Sequence, residues 1–216
     1  MPANYFFVDQ GTGNINFQGD GTLQGWTIQN QFHSQEYTPM HKLPGNLFGI
    51  KANNQAFVLQ TPQNYSQANQ SKPVGEESHV TPYQVRRMQQ MPGIRSLKAK
   101  CQYPIATVDY DIAGFPVDVQ LRMMTPLVPG NARDSSFPVA IFDFSVTNPG
   151  TEAVEVSLMQ STLNFIGWDG ISNCCGGIAP YWCNNVNSPV DDDTYSGWKM
   201  TRVGDLDERR DRKSVV

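Results

Sequence analysis

The chain has 216 residues, enough for one large domain with a real core or two small ones. Only 17% are charged and 39% hydrophobic, with Asn, Gln, Ser, Thr, Gly and Pro making up the balance, which disfavours a Leu/Ala/Glu/Lys-rich helical bundle. A net charge of −4 gives no bulk attraction to phosphate backbones or anionic lipid, and no apolar run approaches the ~20 residues of a membrane span, so nucleic acid and a membrane-crossing helix are both set aside.

The opening MPANYFFVDQG has neither a basic region nor a long apolar one, so no secretory signal is visible. Residues 12–28 read as extended: NINFQGDGTLQGWTI places Asp20-Gly21 between two short alternating runs, the strongest local hairpin signal in the chain. Residues 60–77 are poor in apolar side chains and read as a long loop, with Asn-x-Ser triplets at Asn64 and Asn69. Only residues 83–91 have helical spacing, ended by Pro92-Gly93.

Residues 104–110 again look extended. The clearest alternation is at 115–125, where Phe115, Val117, Val119, Leu121 and Met123 share a face opposite Pro116, Asp118, Gln120 and Arg122. In 137–147, Ala140, Phe142, Phe144 and Val146 share a face; in 154–162, Val154, Val156 and Leu158 do the same. NPGTEA (148–153) between the last two is a turn signal, and the pair is expected to form an antiparallel hairpin. Residues 125–136 form a polar corner in which Asp134, Ser135 and Ser136 are expected to hold the backbone through their short side chains. Many short strands with turns between them and almost no helix imply an all-β protein: an antiparallel two-sheet β-sandwich with long loops and at most one or two short helices.

Candidate chemistry is sparse. His33, His41 and His79 lie in loop-like contexts without ligand-spaced partners. Asp109 and Asp111 point to one face of a strand and could share a proton or a cation; a solvated edge is the commoner outcome. Asp191-Asp192-Asp193 lacks the remaining residues of a calcium loop, and DLDERRDRK (205–213) reads as a solvated tail. Cys174, Cys175 and Cys183 could ligate a metal, but no His lies near, and free or buried thiols are the simpler reading for these and Cys101. No metal or cofactor is expected. Trp26, Trp168 (beside Asp169), Trp182 and Trp198 are the candidate contacts for a sugar ring or a domain interface, buried Trp being the usual alternative.

Three stretches, residues 11–31 (GTGNINFQGDGTLQGWTIQNQ), 103–150 (YPIATVDYDIAGFPVDVQLRMMTPLVPGNARDSSFPVAIFDFSVTNPG) and 163–170 (LNFIGWDG), resemble in order and character the amino-terminal domain of glycoside hydrolase family 116, which includes β-glucosidases, β-xylosidases and the non-lysosomal glucosylceramidase (bile acid β-glucosidase). The Pro-Leu-Val-Pro, polar link, Asp-Ser-Ser, Pro-containing strand and terminal Asn are the distinctive part. The family's Gly-rich opening before Gly11-Thr12-Gly13 is missing, and the likeness weakens from Ile171 onward. The resemblance implies a sandwich over residues 1–170, followed by a Gly/Asn/Asp-rich extension with a charged tail over 171–216. It also implies a helical-barrel catalytic domain as partner, carrying the Glu nucleophile and Asp acid/base of a retaining β-glycosidase. Neither catalytic residue maps onto this chain, so the expected role is scaffolding and docking within an incomplete protein. A free-standing carbohydrate-binding module that takes β-glycosides is the alternative, and a self-associating structural sandwich a third.

Overall fold

The computed structural model describes residues 6–9, 14–27, 46–62, 90–162, 164, 166 and 185–202. They form four hydrogen-bonded sheets. The amino-terminal sheet contains β1 (Phe6–Asp9), β2 (Asn14–Phe17) and β3 (Leu23–Thr27) in that order. A middle sheet has the order β10-β4-β5, from β4 (Leu47–Ala52), β5 (Gln55–Val58) and β10 (Val156–Ser161). The largest sheet is four-stranded, β6-β7-β8-β9, from β6 (Ser96–Gln102), β7 (Ile105–Asp111), β8 (Asp118–Met124) and β9 (Ile141–Thr147). A final hairpin joins β11 (Asn185–Asp191) to β12 (Ser196–Arg202), and one helical turn, α1 (Ala132–Ser135), interrupts the strands. Every strand pairing is antiparallel.

Period-two alternation decides which side chains meet. On β8, Val119, Leu121 and Met123 are buried, while Asp118, Gln120 and Arg122 are exposed. The register sets Leu121 between Val108 and Phe144, and Val119 between Tyr110 and Val146, so one face of the four-stranded sheet is apolar from edge to edge. The middle sheet covers that face. Phe48 of β4 packs its ring 5.0 Å from Phe142 and 5.1 Å from Phe144, and Phe57 meets Phe115 edge-on at 5.5 Å. Phe17 and Leu23 of the amino-terminal sheet enter the same core. This is the sandwich expected from the alternation. Burial of side chains such as Leu121 and Phe17 stabilises it by ~1.5–3 kcal/mol each.

The segment 58–62 ties the layers together. Leu59 N–H donates to Phe48 O, extending the β4–β5 ladder, and Thr61 N–H donates to Asp20 O in the β2–β3 turn. On the other side Val58 N–H donates to Pro92 O and Ile94 N–H to Gln60 O, just before β6. Both neighbours approach through glycine. A Cβ on Gly21 would stand 2.4 Å from Leu59 O, and one on Gly93 2.5 Å from Gln60 O. Gly21 also has φ +87, which a β-carbon disfavours, and its turn is held by Asp20, whose carboxylate accepts from Thr22 N–H at 2.9 Å and Thr22 hydroxyl at 2.6 Å. The Asp-Gly hairpin expected at this point is therefore present.

One expectation is overturned. NPGTEA does not close a hairpin: β9 pairs with β8, whereas β10 pairs with β4 in the other layer. Asn148 organises the turn, accepting from Gly150 N–H at 2.9 Å and donating to Glu152 O at 2.7 Å. The chain then passes along the surface to the other layer and meets Asn53, whose N–H donates to Glu155 O. A turn motif reverses the chain but does not dictate that its two arms hydrogen-bond to each other. Here Phe142, Phe144 and Val146 pack on the core from one layer and Val154 and Val156 from the other, while Leu158 stays exposed.

Substituting Gly21 by Ala should destabilise the chain by ~2 kcal/mol or more, because backbone strain and a collision with Leu59 O coincide. Gly114 also has positive φ (+68) but open space around it, so Gly114→Ala should cost only ~1 kcal/mol. Urea denaturation of the two variants measures the difference; equal losses would mean that the close approach contributes nothing.

Candidate functional site

The outer face of the four-stranded sheet divides into two halves. Over most of it polar groups pair across strands. Gln120 Nε2 donates to Asp109 at 2.7 Å, Arg122 bridges Asp143 at 2.6 Å, and Asp111 receives Ser96 hydroxyl at 3.2 Å and faces Arg95 at 3.6 Å. Asp109 and Asp111 thus share a face, yet each is engaged by its own neighbour. Among the described residues no group of three His, Cys, Asp or Glu side chains is placed to hold a metal ion.

At the other end of the same face the row is apolar. Ile105, Met124 and Ile141 are cross-strand neighbours. Exposed Val139 and Phe137 precede β9, and Leu127 and Val128 follow β8; Phe137 is 55% exposed. The polar corner fixes this edge. Val128 N–H donates to Ser135 Oγ at 2.9 Å while Ser135 hydroxyl reaches Val128 O at 3.1 Å and Asn131 O at 2.8 Å. Asn131 caps α1, accepting from Asp134 N–H at 3.1 Å and donating to the Asp134 carboxylate at 2.6 Å, and Ser136 hydroxyl donates to Arg133 O at 2.9 Å. Short polar side chains therefore hold large apolar ones out in solvent.

Concavities lined by described residues lie elsewhere. A hollow of about 410 Å³ on the outer face of the middle sheet is lined by Gly49, Ala56, Val58, Met91, Pro92 and Met159 and is almost wholly apolar. A groove of about 470 Å³ runs between the end of β10 and the β11–β12 hairpin. Its lining includes Gln160 and Thr162 from the end of β10 and, from the hairpin, Trp198 and the cross-strand pair Asn187 and Met200. Trp198 stands opposite Pro189 in the hairpin and is 68% exposed. The hairpin is fastened by Asn164, whose Nδ2 donates to Asn187 Oδ1 at 2.7 Å and to Val186 O and Thr201 O at 3.3 Å, while Asn185 Nδ2 returns a bond to Asn164 O at 3.0 Å.

Of the aromatic candidates named from the sequence, Trp198 is the one whose side chain the structure describes. Trp168, Asp169 and Trp182 lie outside the described residues, as do Cys174, Cys175, Cys183, the three histidines, the sequons and the charged tail; of Trp26 only the backbone, in β3, is described. Of the helix expected at 83–91 the described part is Gln90 and Met91. Cys101 is a free, exposed thiol on edge strand β6, and partial burial pushes it above its ordinary value. Tyr110 turns its hydroxyl into the core, where that oxygen has no partner among the described residues and burial pushes its ionisation far above the ordinary tyrosine range.

Against known families, residues 10–214 match the model described as beta-glucosidase 2, glycosyl-hydrolase family 116 N-term. The chain belongs to that family. The match takes in 171–214, the stretch where the quoted motifs run out, and so includes the β11–β12 hairpin.

Two outcomes follow from these geometries. Asp192, at the hairpin tip, accepts from Thr194 hydroxyl and N–H, both at 2.7 Å, and from Tyr195 N–H at 3.0 Å; the bonds from Thr194, then Tyr195, hold its carboxyl below the usual range. Its bonds favour the ionised form, so their contribution is complete above the ordinary Asp value of ~3.9 and fades as pH falls through the lowered one. Carboxyl-carbon NMR should place the Asp192 midpoint below ~3.9, with the Thr194 and Tyr195 amides shifting in step. Separately, Tyr110→Phe should leave stability unchanged or raise it by up to ~1 kcal/mol in urea melts, since it removes a buried hydroxyl that gains no bond from the described residues. A loss beyond ~1 kcal/mol would reveal a partner for that oxygen.

Proposed function

We propose that this domain is the scaffolding and docking layer of a retaining β-glycosidase, laid against a helical catalytic domain through the apolar end of its four-stranded sheet. The observation that supports the reading is the row of exposed Ile105, half-buried Met124 and exposed Ile141, followed along the chain by exposed Leu127, Val128, Phe137 and Val139. A chain that pairs the rest of that face with charges and amides leaves this end apolar, as contact surfaces do. The residues that rim it, from Leu127 through Ile141, are those of the Pro-Leu-Val-Pro and Asp-Ser-Ser motif by which the chain resembles its family. In this arrangement bond cleavage belongs to the partner: one carboxylate attacks the anomeric carbon and a second protonates the leaving oxygen, then activates water. This chain contributes position. Its corner, locked by Ser135 and Asn131, keeps the apolar side chains presented without rearrangement on binding, which lowers the ordering cost of association.

Phe137→Asp combined with Ile141→Lys tests the proposal. Both side chains are exposed in this chain, so its own melting should change by no more than ~0.5 kcal/mol per site. Co-purification with a family 116 helical catalytic domain, and hydrolysis of a chromogenic β-glucoside by the assembled pair, should both fall at least tenfold. Retained assembly with both substitutions present would place the contact elsewhere, and hydrolysis by the 216-residue chain alone would remove the scaffolding role.

A further inference from the structure

We propose that the groove between the end of β10 and the β11–β12 hairpin is a carbohydrate subsite, seating a neutral pyranose against Trp198. Three features of the site carry this. Trp198 leaves 68% of its surface in solvent while lining a concavity, and an indole so placed offers a flat apolar platform to the C–H face of a sugar ring. The polar lining is matched to hydroxyl groups. Asn187 has its Oδ1 occupied by Asn164 Nδ2 at 2.7 Å, which turns its own Nδ2 into an available donor; Gln160 Nε2 gives one hydrogen to Thr162 Oγ1 at 3.2 Å, which leaves Gln160 Oε1 to accept and the Thr162 hydrogen to donate. Lastly, among the described residues the groove is lined by neutral side chains, and its volume of about 470 Å³ suits a small polar molecule.

Asn164 prepares the site. It is 7% exposed and bonded to both strands of the hairpin, so the amide of Asn187 is oriented before any ligand arrives. The inference does not rest on the docking reading, because the groove and the apolar end of the four-stranded sheet lie on different sheets. Sugar held here would add to substrate recognition without taking part in bond cleavage.

The probe is cellotriose, titrated into the 216-residue chain while tryptophan fluorescence and side-chain amide NMR are followed. A saturable response at ~1 mM is expected, with the Asn187 Nδ2 resonance moving. Trp198→Ala should weaken it at least tenfold, and Trp198→Phe less. Asn187→Asp, which keeps an acceptor for Asn164 and removes the donor, should also weaken it; this variant carries the test if Trp198→Ala fails to fold. The proposal is overturned by no saturable response up to ~20 mM sugar, or by a response unchanged in Trp198→Ala and Asn187→Asp. It is equally overturned if Trp198 becomes shielded from acrylamide as protein concentration rises without sugar, which would make the groove an interface between copies of the chain.

Discussion

The close passage of three backbones at 58–62 is the constraint on which the sandwich depends. Gly21 and Gly93 press on successive carbonyls, those of Leu59 and Gln60, from the β2–β3 turn and from the lead-in to β6. Hydrogen bonds from Thr61 to Asp20, from Leu59 to Phe48 and from Ile94 to Gln60 then fix the spacing of all three large sheets from one short segment. Side chains cannot mediate so near an approach. Leu59 and Ile94, each 1% exposed, anchor the junction from within the core.

From that junction the four-stranded sheet receives its two unlike faces. Its inner face is filled by Val108, Leu121, Met123 and the Phe142–Phe144 pair, which mesh with Phe48. The outer face has no covering layer among the described residues, and its register determines what solvent meets: Asp109 with Gln120 and Arg122 with Asp143 in the charged half, Ile105 with Met124 and Ile141 in the apolar one. An edge strand rich in lysine, β6 with Lys98 and Lys100, discourages pairing with another sheet. Contact is thereby steered away from the sheet's rim and toward its face.

Legibility in the sequence followed the strength of the alternation. β8 and β9 could be read, face by face, because each buries one side only: Leu121 and Phe144 in, Gln120 and Ser145 out. β4 escaped notice since Leu47, Phe48, Gly49 and Ile50 are all buried and no period survives. Its link to β5 carried a usable clue, Asn53-Asn54 between Ala52 and Gln55, with Asn53 at φ +50. β6 was also within reach, as Leu97, Ala99 and Cys101 alternate with Lys98 and Lys100. β11 was hidden by Pro189, which argues against a strand unless it is an edge. The Trp198 groove was legible only in part: the residue stood among the aromatics, but its meeting with Gln160 and Asn187 depends on Asn164 drawing the hairpin in, a contact no local pattern announces.

The crossing from Asn53 to Glu155, a separation of 102 residues, has a consequence for how the molecule is made. During vectorial synthesis, β4 and β5 leave the ribosome as a two-stranded ribbon whose third strand does not yet exist. Phe48 and Ile50 must wait, with one flank unsatisfied, until Ser161 has emerged. Until then the ribbon keeps an unpaired flank, the kind of strand edge that exposes a nascent chain of high contact order to aggregation.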